Sequence, residues 1–128
     1  MLGNAEQRWS TSQSNADADV AATLAQIPKD VPCIILTTAP VYLKSTNDKR
    51  MAAQTNLERA LAKSGGHCQL VKGFSAQTRA VIENKPQFFR RNASGKVTDP
   101  HHPNKSAVGR FMDLTNPAMC NALATALK

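Results

Sequence analysis

The stretch Pro32-Cys33-Ile34-Ile35-Leu36-Thr37-Thr38 decides how the chain is read. It is a short continuous apolar run closed by β-branched residues, which is the pattern of a strand covered on both faces and placed centrally in a sheet. Before it, Asn15 stands where a helix cap belongs, and Asp17 and Asp19 suit the positive end of a helix dipole. Val20, Leu24 and Ile27 then share one face until Pro28, so a helix is expected over residues 15–26. After the run, Ser45 to Asp48 offer further caps for a helix over 49–63, with Ala53, Leu57, Ala60 and Leu61 on its apolar face and Gly65-Gly66 as its stop.

A second strand is expected over 67–72, with Cys68 and Leu70 on one side and Gln69 and Val71 on the other. Strand, helix and strand at this spacing make a crossover unit, which places the two strands in parallel under the helix. Ser75 caps a third helix over 75–84, ahead of Pro86. Residues 85–106 read as a long basic loop and 107–112 as a third strand. Asn116-Pro117 opens a last helix over 116–127, with Met119, Cys120, Leu123, Ala124 and Leu127 in one stripe. The fold expected is α/β: a small single-domain layered sandwich with a short mixed or parallel sheet and about four helices. It spans residues 15–128, behind a flexible polar arm of residues 1–14 that its large apolar group, Trp9, can pin.

With 128 residues the chain has the size of one domain and can form a core without staples. Only 5% of residues are aromatic, so that core must rest on Ala, Leu, Val, Ile and Met. No run approaches the roughly 18 apolar residues of a membrane span, and no basic-then-apolar leader opens the chain. A cytoplasmic setting is therefore expected. Cys33, Cys68 and Cys120 are too few for a secreted disulfide framework, and Cys33 and Cys120 read as buried packing thiols with no need for a disulfide or structural zinc. A metal reading would gather His67, Cys68, Cys33, His101 and His102, but the spacing of known zinc sites is missing, so neither metal nor other cofactor is expected.

Charge is distributed unevenly. Up to Asp48 there are three Lys and Arg against five Asp and Glu; from Lys49 onward there are thirteen against four, a balance of +9. An electropositive side attracts anionic partners, with nucleic acid ahead of acidic protein. Membrane binding ranks last, since no helix joins a broad apolar face to a dense lysine face. The segment Lys85-Pro86-Gln87-Phe88-Phe89-Arg90-Arg91-Asn92-Ala93-Ser94-Gly95-Lys96 is the most distinctive patch. Lys85, Arg90, Arg91 and Lys96, joined by Lys105, can neutralise phosphates, while Phe88 and Phe89 offer rings for stacked bases. The same rings can instead anchor the loop to the core.

Asp99, His101, His102, Lys105 and Arg110 follow closely. One histidine can take the proton of a ribose 2′-hydroxyl, the other or His67 can protonate the leaving oxygen, and Arg110 or Lys105 can steady the phosphate. That inventory is the one a metal-independent ribonuclease needs. Three functions are thus carried forward: a basic domain binding nucleic acid, such a ribonuclease, and a protein-interaction module. Two further places suit ligands by analogy with other α/β proteins. They are the Thr37-Thr38 end of the first strand and the Gly73-Phe74-Ser75 turn before the third helix.

Overall fold

The computed structural model describes residues 2–128, with side chains described from Gln7 onward. Five helices and two small two-stranded sheets form a mixed α/β domain. Helix α1 (Leu2–Thr11) leads into α2 (Gln13–Leu24), strand β1 (Ile34–Leu36), helix α3 (Lys44–Ser64) and strand β2 (Gln69–Val71). Helix α4 (Ala76–Ile82), a short 3-10 turn at Pro86–Phe88, strands β3 (Arg90–Arg91) and β4 (Val97–Asp99), and α5 (Lys105–Ala126) complete it.

The crossover unit is present as the sequence implies. β1 and β2 run in parallel with Ile34, Ile35 and Leu36 opposite Gln69, Leu70 and Val71, and α3 connects them. Gly65 ends α3 in the left-handed conformation, at a φ of 62° that glycine adopts without a steric cost. Ala53, Leu57 and Ala60 are buried along α3, and Leu57 and Ala60 pack with Ala16 and Val20 of α2. The strand is less central than expected: β1 has a single partner, and Leu36 is 38% exposed.

Five expectations need correction. The arm is helical over Leu2–Thr11 rather than loose, and it is pinned through its tryptophan as expected: Trp9 Nε1 donates to Asp19 at 2.8 Å and Asn56 Nδ2 donates to the Trp9 carbonyl at 2.6 Å. Ser12, rather than Asn15, caps α2 by accepting from the Asn15 N–H. The expected third strand at 107–112 belongs to α5, which starts eleven residues earlier than its expected N-terminus. Ala107, Phe111 and Thr115 are buried at four-residue spacing, and Asn104 Oδ1 caps the helix through the Ala107 N–H. Pro117 therefore lies inside the helix, leaving the Asp113 carbonyl without the N–H that normally meets it.

The cysteines also differ from expectation. Cys33 and Cys68 form a disulfide with their α-carbons 4.5 Å apart, whereas Cys120 is exposed on α5 instead of buried. Each bridged cysteine immediately precedes its strand, so parallel pairing in register sets the two side by side. Among the described residues no helix is long and apolar enough to cross a membrane.

Finally, the basic loop is not structureless. β3 and β4 pair antiparallel, with Arg90 opposite Asp99 and Arg91 opposite Val97 and an irregularity between them. A second core lies under this hairpin, where Ile82, Phe89 and Phe111 are buried together and Tyr42, Phe88 and Val97 pack against them. The Tyr42 and Phe89 rings meet edge to face, 5.5 Å between centroids.

Candidate anion-binding hairpin

The tip of the hairpin is shaped by Asn92. Its Oδ1 accepts from the Ser94 N–H at 3.1 Å, the Ser94 hydroxyl at 2.8 Å and the Lys96 N–H at 2.9 Å. Gly95 takes a φ of +82° to close the turn, a conformation costly for residues with a Cβ. The base of the hairpin is held from two sides. The Tyr42 N–H donates to the Pro100 carbonyl at 3.0 Å, and Asn104 donates through its N–H to Phe88 and through Nδ2 to Gln87. Asn104 thus fixes the start of α5 and the turn before β3 at once.

This scaffold carries Lys85, Arg90, Arg91, Lys96, Lys105 and Arg110, all exposed. Among the described residues none of these six side chains makes an ion pair or hydrogen bond. Elsewhere Arg8 meets Asp19, Lys44 meets Asp48, Lys63 meets Asp17, Lys72 meets Glu58, and Arg79 meets Asp48 and Glu83. Within 85–110 the acidic side chain is Asp99, and it is already engaged. A shallow depression beside it is lined by Arg90, Arg91, Asn92, Thr98 and Asp99.

Asp99 organises the following turn. Its Oδ1 accepts from the backbone N–H groups of His101 and His102, both at 3.1 Å, and Oδ2 lies 2.9 Å from His102 Nδ1. The His101 N–H foremost, followed by the His102 ring, holds the Asp99 carboxyl below its ordinary pKa. His101 and Arg110, the other candidates for proton transfer and phosphate stabilisation, are exposed, and among the described residues their side chains bond neither to this pair nor to each other.

Two groups of candidates fall elsewhere. Phe89 is 2% exposed and Phe88 packs against the same cluster, so Phe89 cannot stack on a base and the two rings anchor the hairpin. His67 stands just before β2, and its Nε2 is buried and without a hydrogen-bond partner among the described residues. The disulfide removes Cys33 and Cys68 from the metal reading. Sequence reasoning missed the pairing of Asp99 with His102. Its signal was the Asp-Pro-His-His-Pro spacing, because an aspartate before a proline turn commonly caps the N–H groups two and three residues on.

No family model, curated protein or solved structure matches the chain.

Proposed function

We propose that the domain binds nucleic acid through its phosphates, using the β3–β4 hairpin and the start of α5, with charge rather than base stacking supplying the affinity. The observation that supports it is the group of six exposed cations without side-chain partners among the described residues, carried on elements that Asn92, Asn104 and the Phe88–Phe89 anchor hold in fixed relation. A cation with no carboxylate to satisfy it breaks no ion pair when it meets a phosphate, and it releases the counterions condensed there. With Phe89 buried, readout of particular bases has no ring to rest on, so binding should be insensitive to sequence. The Cys33–Cys68 bridge weighs against a cytoplasmic setting for this activity, since such bonds persist mainly in oxidising compartments.

Salt dependence tests the proposal. The logarithm of affinity for duplex DNA should fall linearly with the logarithm of salt concentration, by about 0.9 for each phosphate contacted. Replacing Arg90 and Arg91 by glutamine should reduce that slope by about 2, equally for unrelated sequences. An acidic protein bound more tightly than DNA or RNA would favour the protein-interaction reading. No binding at low salt would end the proposal.

A second reading rests on Asp99 and His102. With Nδ1 held by the carboxylate, the neutral imidazole presents its Nε2 lone pair outward, beside cations that can hold a phosphate. That is one half of the ribonuclease inventory.

A further inference from the structure

The chain holds two Asn-x-Ser sequences with no proline in the middle, Asn92-Ala93-Ser94 and Asn104-Lys105-Ser106. Such a triplet is the acceptor for asparagine-linked glycosylation, and the fold treats the two differently. Asn92 lies at the tip of the β3–β4 hairpin, where residues 92–96 are all exposed. Its Oδ1 accepts from the Ser94 N–H, the Ser94 hydroxyl and the Lys96 N–H, while among the described residues its Nδ2 bonds to nothing. The oxygen serves the turn and the nitrogen does not. Ser94 Oγ, whose hydroxyl the triplet requires, already stands 2.8 Å from the Asn92 amide oxygen. Asn104 is half-buried, and both ends of its amide are engaged: Oδ1 accepts from the Ala107 N–H at 3.1 Å, and Nδ2 donates to the Gln87 carbonyl at 2.9 Å. A sugar on that nitrogen would stand in the seam between α5 and the turn before β3.

We propose that in the folded protein Asn92 carries an asparagine-linked glycan and Asn104 does not. The donor is a polyprenyl-diphosphate-linked oligosaccharide. Asn92 Nδ2 attacks C1 of its first sugar, and the N–C1 bond forms as the bond from C1 to the diphosphate oxygen breaks. The amide gives up one proton, and the polyprenyl diphosphate leaves with the electron pair. An amide nitrogen shares its lone pair with the carbonyl, so the transferase must supply the activation. What this chain supplies is an acceptor whose product the fold can keep. With one N–H replaced by the sugar, Asn92 retains all three bonds to Oδ1, and the glycan leaves a hairpin tip for open water. The Cys33–Cys68 bridge meets the second condition. Such bonds persist mainly in oxidising compartments, the secretory route among them, and that route carries the transferase. Asn92 accepts the sugar whether or not the neighbouring cations bind nucleic acid.

Secretion of the full chain from cultured animal cells, behind a cleavable leader, tests this. The recovered protein is treated in heavy-oxygen water with an amidase that turns a glycosylated asparagine into a labelled aspartate, and its peptides are weighed. Label is expected at position 92 in most chains and at position 104 in none. Asn92→Gln and Ser94→Ala should each remove the whole glycan, whereas Ser94→Thr, which keeps the hydroxyl, should retain it. Protein held inside the cell is mapped in the same way. If a variant fails to fold, the map of the unaltered chain still decides. An unlabelled position 92, label at position 104, or a glycan that survives Ser94→Ala would each overturn the proposal.

Discussion

The sulfurs of Cys33 and Cys68 are bonded to each other at the amino ends of the two parallel strands, where the Gln69 N–H also donates to the Cys33 carbonyl at 2.8 Å. The bridge closes a loop with a sequence separation of 35, one that contains all of β1 and α3. On chain-entropy grounds a loop of that length destabilises the unfolded state by about 3–4 kcal/mol. Under native, non-reducing conditions one cysteine, Cys120, should accept an alkylating reagent, and all three should do so after reduction and unfolding. The Cys33→Ser/Cys68→Ser protein should lose stability of that order, read as a lower denaturant midpoint with a steeper slope, since the unfolded chain expands once the bridge is gone. Three alkylated cysteines in the unreduced protein would contradict the bridge.

The same pair shows what was legible in the sequence and what was not. The crossover unit followed from local signals: an apolar run at 34–36, an amphipathic helix stopped by Gly65, and a second strand at 69–71. The bridge needed one further step, since parallel strands that each begin one residue after a cysteine bring those cysteines together once in register. α5 was misread because Asn116-Pro117 imitates a helix start, although the burial of Ala107, Phe111 and Thr115 at four-residue spacing runs straight through the preceding segment. The cations of the hairpin were visible as composition, but the fate of Phe88 and Phe89 was not. Whether a ring faces solvent depends on Tyr42 and Phe111, residues far away in sequence that supply the pocket.

Glycine substitutions should change stability with opposite signs at two positions. A Cβ on Gly73 would overlap the carbonyl oxygen of Thr37 and come within 2.6 Å of that of Thr38, and neither backbone atom can swing away. Gly73→Ala should therefore cost about 1–3 kcal/mol or more. Gly109 lies inside α5 with nothing within 4 Å of such an atom, and Gly109→Ala should stabilise by up to about 1 kcal/mol through helix propensity. Thermal melts of the two variants compare them directly, and a stable Gly73→Ala protein would place β1 and the loop after β2 farther apart than described.

Acid should weaken the fold below the ordinary carboxylate range. Asp17 is held below its usual pKa of 3.8 by its bonds from Lys63 and Gln13, Asp19 by those from Arg8 and Trp9, and Asp48 by those from Lys44 and Arg79. Asp99 shifts the same way. A carboxylate with a depressed folded pKa contributes stability that is fully present above its unfolded value and is lost as pH falls through the folded one. Melting temperature should thus be insensitive to these groups between pH 7 and about 5, then fall below about 3.8. Asp19→Asn, which removes the charge facing Arg8 and Trp9, should reduce the acid-dependent fall while lowering the melting temperature at neutral pH. A melting curve unchanged at pH 3 would show that these pairs contribute nothing.

The pairing of Asp99 with His102 gives the ribonuclease reading a defined outcome. Asp99 fixes the ring so that Nε2 faces solvent, and a base in that position takes the proton of a 2′-hydroxyl as it attacks the adjacent phosphorus. The reaction requires that hydroxyl, so single-stranded RNA should be cut in the presence of chelator while a matched DNA strand stays whole. His102→Ala should slow cleavage by about 10²–10⁴-fold. Asp99→Asn should act in the same direction, because the amide keeps one oxygen for the two backbone N–H groups but loses the charge and the second acceptor that hold the His102 ring. His101→Ala and Arg110→Ala separate the remaining roles: a loss in the first assigns His101 to the leaving oxygen, and a loss in the second assigns Arg110 to the phosphate. RNA that stays intact, or a rate that survives His102→Ala, leaves phosphate binding by the hairpin without chemistry, because among the described residues Asp99 bonds to no histidine ring besides His102.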